Sequence, residues 1–204
     1  MLLDKLNINI DEKPKVVFGS HTGSGKTTIL TILACESFLK GKKVLFLSET
    51  KITPIIKRME NYLGYKPDRK QIIIQSVGDL DSDLKSFMTK KLDLVVIDFN
   101  YTNYDNLNKL VEKYDVALFT SVKLNKFLPK DGLYDTNIKP MFFSDVFITI
   151  SRLFGDQQYY KKLLRKLFFW KIKPNTIIKV YKNKFGDNVS VKVEVDFEKT
   201  KIKF

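Results

Sequence analysis

Hydrophobic positions in this chain fall into short solid runs separated by amphipathic stretches. Val16–Gly19, Val44–Ser48, Gln71–Gln75, Leu92–Asp98, Val116–Thr120 and Asp145–Ser151 are strand-length runs rich in β-branched and aromatic residues, the pattern of buried strands. Helical spacing fills the gaps over Thr27–Lys40, from Thr53-Pro54 to Gly64, and over Tyr104–Tyr114, and Asp81–Lys90 predicts a short charged helix. Gly41 closes the first helix; Thr53 is the expected N-cap of the second, with Pro54 in its first turn and Gly64 at its end. Strand and helix alternate from residue 15 to about 120, which predicts a parallel sheet with crossover helices.

The second half differs. Lys123–Pro140 has no clean period and carries Pro129, Gly132 and Pro140, so it reads as a long loop. Gln158–Trp170 predicts a basic amphipathic helix, whose Phe168 and Trp170 are expected in packing. Thr176–Lys184 and Val189–Phe197 flank the turn Phe185-Gly186-Asp187-Asn188 and predict a hairpin. The expected fold class is α/β: a mostly parallel sheet flanked by helices with an antiparallel C-terminal hairpin. One domain is expected over 15–204, after a short extension over 1–14.

Composition narrows the setting. A chain of 204 residues with 44% hydrophobic content suits one domain with a full core. No apolar run approaches a membrane span, and the first residues lack the apolar region of a signal peptide. The single cysteine, Cys35, excludes an internal disulfide and a cysteine-based zinc site; it reads as a small core residue in a reducing cytoplasm. A net charge of +13 points to a polyanionic partner. Between Gln157 and Gly186 there is no acidic residue but a series of lysines. General lysine enrichment is the alternative source of that charge.

The chemistry starts at residues 19–28, Gly-Ser-His-Thr-Gly-Ser-Gly-Lys-Thr-Thr, directly after Val16-Val17-Phe18. A glycine-rich turn between strand and helix closes backbone N–H groups around phosphate oxygens, at the positive end of the helix. Gly23, Ser24, Gly25, Lys26, Thr27 and Thr28 are the expected nucleotide-binding residues. Lys26 would reach the β- and γ-phosphates of ATP, and the Thr27 hydroxyl would hold Mg²⁺. The first glycine of the usual spacing would fall on Ser20; Gly19 stands one residue early. His21, inside the loop, reads as a loop-filling side chain. Asp98, ending the run Leu94-Val95-Val96-Ile97, is the expected second Mg²⁺ residue. Phe99 follows it, so a water-activating base must come from elsewhere. Glu49, just past the second strand, is the candidate; the alternative is a solvated acid in a strand–helix loop.

Gly25-Lys26-Thr27-Thr28, the stretch Gly41 to Glu49, and Arg58-Met59 together resemble the ATPase core of DnaB-type replicative helicases, in the RecA-like group. The resemblance runs over roughly residues 15 to 200 and implies a RecA-like P-loop NTPase fold. It implies Glu49 as catalytic base and Asp98 as metal acid. Thr120–Lys126 resembles the strand end where the family has Ser-Gln-Leu-Asn-Arg, with the sensor glutamine falling on Val122. Lys139-Pro140-Met141, Ser144-Asp145-Val146 and Ser151-Arg152 follow the order of the helicase core. Lys182-Asn183-Lys184-Phe185-Gly186 resembles the family's Lys-Asn-Arg-x-Gly hairpin, whose basic pair reaches the neighbouring subunit's γ-phosphate; RecA recombinases carry Lys-Asn-Lys there. This implies Lys182 and Lys184 as trans-acting catalytic residues in a ring or filament of identical chains. The other reading is a basic hairpin that binds nucleic acid. The helicases carry an N-terminal domain and linker helix, whereas about fourteen residues precede the first strand here. The expectation is a minimal RecA-like ATPase, of a kind a phage would encode, or a partner without full helicase function.

In RecA-like ATPases the loops after the fourth and fifth strands line the polymer axis. Here these start near Asn100–Asn103 and at Lys123. Lys123, Lys126, Lys130 and Lys139 would neutralise phosphates of single-stranded DNA and Phe127 would stack a base; a structured surface turn is the alternative. The leading expectation is a single-stranded-DNA-stimulated ATPase in replication or recombination, in contact with other replication proteins. A non-hydrolysing, nucleotide-gated scaffold is the second reading. A small-molecule kinase is the third, and it lacks a lid: the four arginines, Arg58, Arg69, Arg152 and Arg165, do not cluster in sequence.

Overall fold

In a computed structural model, residues 1–20, 22–49, 51–77, 82, 86–87, 91–101, 103–124, 139–152 and 176–204 are described. The strands are β1 (Lys15–Ser20), β2 (Val44–Ser48), β3 (Ile72–Ser76), β4 (Leu94–Asn100), β5 (Ala117–Lys123), β6 (Val146–Arg152), β7 (Thr176–Asn183), β8 (Ser190–Asp196) and β9 (Lys201–Lys203). They form one nine-stranded sheet in the order β3-β2-β4-β5-β1-β6-β7-β8-β9. The first six in that order pair in parallel and the last three add on antiparallel. The expected parallel sheet with an antiparallel hairpin is therefore present, extended by β9.

The solid apolar runs are explained by burial on both faces. Val44 and Phe46 of β2 face one core cluster, and Leu45 and Leu47 face another. The first cluster is covered by α1 (Leu2–Lys5), α2 (Lys26–Leu39) and α3 (Ile52–Leu63). The opposite face is covered by α4 (Tyr104–Tyr114), through Leu107 and Val111, and by α5 (Lys139–Phe143), through Met141 and Phe143. Helix α2 is buried continuously from Thr28 to Ser37, because α1 and α3 cover the sides that the sheet does not. Cys35 sits in that core, its thiol pushed up to about 12 by burial, and is inert at neutral pH.

Helix α2 ends as the sequence predicts. Gly41, at φ +78°, lets its own N–H reach the Phe38 carbonyl and the Lys42 N–H reach Ser37. Gly64, at φ +80°, ends α3 in the same left-handed conformation. The start of α3 differs from expectation: it begins at Ile52, Lys51 is the N-cap with no side-chain cap bond, and Thr53 lies inside the first turn.

The first fourteen residues are part of the core. Leu2, Leu3, Leu6, Ile8 and Ile10 are all buried in the cluster beneath α2. The carboxylate of Glu36, itself buried, accepts hydrogen bonds from the backbone N–H groups of Leu2 (2.7 Å) and Leu3 (2.8 Å) and from the Tyr62 hydroxyl (3.0 Å). An acid at the N-terminus of α1 satisfies donors that the helix cannot satisfy internally. Burial, and then the charge of Glu36, push the Tyr62 hydroxyl far above its usual range, so it stays a donor.

The 81–90 helix lies largely outside the described residues, and the 125–138 portion of the long loop and the 158–170 helix lie wholly outside them.

Candidate active site

Strand β1 delivers the chain to the phosphate loop in the middle of the sheet. Ser20 ends the strand, Gly23 and Gly25 take left-handed φ values of +78° and +92°, and Gly25 caps α2. These are conformations that favour glycine, which explains why both positions hold it. Gly19 has a different reason. A Cβ there would lie 3.1 Å from Leu124 and 3.2 Å from Phe147, so the early glycine allows close side-chain packing against β1. Ser24 and Thr28 are buried, and the Thr27 carbonyl accepts the Thr31 hydroxyl at 2.7 Å.

Lys26 and Thr27 open α2 and meet Asp98 from β4. Register sets this up: Ser48 of β2 pairs with Asp98, and Ile97 pairs with Thr120 of β5, so Asp98 stands at the rim where the parallel strands end. Asp98 is 8% exposed and accepts a hydrogen bond from the Thr27 hydroxyl. Burial pushes its carboxyl up to about 6, against the lowering effect of Thr27, Lys26 and Arg58; the charge of Glu49 adds to the rise. Lys26 donates to the Ser20 carbonyl at 3.4 Å. Its own pKa is lowered by burial, raised by Asp98 and lowered by Lys123. Glu49 is exposed one residue beyond Ser48, on the same rim as Asp98.

The oxygen set suits Mg²⁺. A buried carboxylate bonded to a hydroxyl offers hard ligands, and among the described residues no cluster of three or more His, Cys, Asp or Glu side chains forms a cage. A cation here would draw its other ligands from phosphate and water.

Two further residues join this corner. Arg58, half-buried on α3, bears electrostatically on Asp98. Phe197, just after β8, lies against the phosphate loop: a Cβ on Gly25 would fall 2.1 Å from its ring. The turn carrying it is tied down by Asp196, which accepts from the N–H groups of Glu198 (3.1 Å) and Lys199 (2.9 Å), and by Asn61 of α3 donating to the Glu198 carbonyl (3.2 Å).

Neither a protein-family model nor a curated protein matches the sequence. Solved structures do. An ATPase domain solved on its own aligns with a TM-score of 0.68 at 15% identity, over 93% of this chain and 84% of that one. A DnaB-like replicative helicase, solved for its interactions with primase, aligns with a TM-score of 0.69 at 14% identity, over 93% of this chain and 57% of that one. The fold is that of a DnaB-like helicase ATPase domain.

Within this RecA-like fold the hairpin lysines occupy the end opposite the phosphate loop. Lys182 pairs with Phe147, which pairs with Val17. That is three residues below Ser20, or roughly 10 Å along the strands. The Lys182 ammonium donates to the carbonyls of Met141 (3.0 Å) and Ser144, at the end of α5. Lys184 is 68% exposed, 3.7 Å from the Asp145 carboxylate. Neither is drawn toward the chain's own phosphate loop.

The residues expected at nucleic acid are dispersed. Lys126, Phe127 and Lys130 lie outside the described residues. Lys139 begins α5, which leads into the start of β6 at the end remote from the phosphate loop. Lys123 ends β5, beside Ser20 and near Lys26. Val122 is buried with Val17, Leu124 and Phe147 on the face away from α2, so the strand-end side chain on the nucleotide side is Lys123. Alternation along β5 was the available signal. Phe197 left none, since its contact with Gly25 joins residues far apart in the chain.

Proposed function

We propose that this chain is a helicase-type ATPase that binds ATP·Mg²⁺, hydrolyses it in response to single-stranded DNA, and completes its active site with a neighbouring copy. The observation carrying this reading is the convergence of Lys26, Thr27 and Glu49 on buried Asp98 at the strand ends beside the phosphate loop. Gly23, Ser24, Gly25 and Thr28 would cradle the phosphates, and Lys26 would bind the β- and γ-phosphates. The Phe197 ring offers a flat apolar surface beside the loop on which a nucleobase can stack. Mg²⁺ held by Thr27 and Asp98 would supply charge neutralisation at the phosphate oxygens. Glu49 would accept a proton from the attacking water, a role that its exposed position at the rim supports. Lys184, and Lys182 if released from its carbonyls, would serve the γ-phosphate of the next copy, since both stand at the end remote from their own loop. The net charge of +13 supports a nucleic-acid partner.

The test is steady-state ATP hydrolysis with and without single-stranded DNA, for the parent and Glu49→Gln. The expected result is DNA-stimulated turnover, reduced at least 100-fold by the substitution while ATP still binds, on the order of magnitude of general-base loss.

One observation favours a second reading, a nucleotide-gated scaffold without hydrolysis. The Lys182 ammonium is engaged by its own chain, and lysine at 184 lacks the bidentate fork of arginine. ATP binding with no turnover in the parent, DNA present, would select it.

A further inference from the structure

Alternation along β5 decides which of its side chains share a face with α2. Phe119 lies in the cluster beneath α2, with Val16 and Phe18, whereas Val122 lies in the opposite cluster. Side chains two residues apart share a face, so Lys123 follows Phe119 and Ser121 to the α2 side. Register sets it beside Ser20, where β1 enters the phosphate loop. The group already in that corner is the Lys26 ammonium, 3.4 Å from the Ser20 carbonyl.

The backbone around Lys123 is held on both sides. Its N–H donates to Asn100 Oδ1 at 3.5 Å, and the N–H of Leu124 donates to the Ser20 carbonyl at 3.0 Å. The side chain extends from this fixed strand end and is exposed. Lys123 and Lys26 are close enough that the first lowers the pKa of the second, after the larger effect of burial. With Arg58, three cations face two acids, Asp98 and Glu49, at this rim. Like charges brought together repel, and a polyanion between them relieves the repulsion.

We propose that Lys123 is a phosphate-contacting residue of the nucleotide site, holding the terminal phosphate of a nucleoside triphosphate opposite Lys26, and is not a nucleic-acid contact. This rests on the nucleotide site proposed above. It goes further in making the site read the third phosphate through a lysine at the end of β5. A diphosphate would leave Lys123 without its partner, so this lysine acts on the preference for triphosphate over diphosphate.

The experiment is equilibrium binding of a non-hydrolysable ATP analogue and of ADP, both with Mg²⁺, to the full chain, to Lys123→Ala and to Lys123→Arg. Loss of a charge-assisted contact predicts about tenfold or more weaker analogue binding in Lys123→Ala, with ADP affinity changed by no more than about twofold. Lys123→Arg should restore most of the difference. Binding of a single-stranded oligonucleotide without nucleotide should be equal in all three proteins. Equal loss for both nucleotides, no loss for either, or lost oligonucleotide binding with nucleotide preference intact would overturn the assignment. A parent chain that binds neither nucleotide would instead defeat the nucleotide site itself; parent binding with Lys123→Ala unaltered would defeat only the role of Lys123.

Discussion

Burial sets the character of Asp98 before any ligand arrives. Its carboxyl, pushed up to about 6, is more easily protonated in the folded chain than in the unfolded one. The sign follows: the folded state binds this proton more tightly, so ionising the group weakens folding as pH rises from about 4 to about 6. Asp98→Asn removes that cost. In the nucleotide-free protein its melting temperature should match the parent near pH 4, rise above it between about pH 4 and 6, and keep a constant advantage beyond. Thermal melts across pH read this directly. The same variant should lose stabilisation by ATP·Mg²⁺, because the amide carries no charge to hold a cation. A residue that weakens the empty fold and serves the loaded one is the usual sign of a functional position. Gly25 shows a constraint of another kind: any side chain there meets Phe197, in a backbone conformation that already disfavours it.

Among the elements, α1 rests on one side chain. Glu36 satisfies two backbone donors of α1 and the Tyr62 hydroxyl, all in a setting closed to water. Glu36→Ala leaves those donors unpaired and should cost about 2–4 kcal/mol of unfolding free energy, measured by chemical denaturation. Gln should cost less, since its amide oxygen still accepts.

This arrangement also marks what the sequence makes legible. The central strands are readable because burial on both faces leaves unbroken apolar runs, as in Val44-Leu45-Phe46-Leu47. The residues before β1 read as an extension because Leu2, Leu3 and Leu6 make too short a pattern to announce a helix, and nothing local links them to Glu36. Strand β9, Lys-Ile-Lys, offers a single apolar residue and gives no signal. The site divides the same way. The phosphate loop and Asp98 sit at strand ends, where motif and strand pattern coincide. The approach of Arg58 and Phe197 to the site arises from packing between elements distant in sequence, and the place of Lys123 follows only once the face of Val122 is known.

At the scale of the molecule, the sheet has two unlike ends. The phosphate loop, Asp98 and Glu49 stand at one, and Lys182, Lys184 and the exposed Phe142 and Phe185 stand at the other. A site shared between copies must then join unlike ends, a heterologous contact. Lys26→Ala loses the loop and keeps the hairpin; Lys184→Ala does the reverse. Each alone should be nearly inactive, while an equal mixture allowed to exchange subunits should recover about one site in four, from random pairing of an intact loop with an intact hairpin. A mixture as inactive as its components would remove the trans role. The separation of the two ends also fixes how activity scales with assembly. An open row of n such copies contains n − 1 complete sites, and closing the row adds the last one, so turnover per chain would climb with length and reach its ceiling only in a ring.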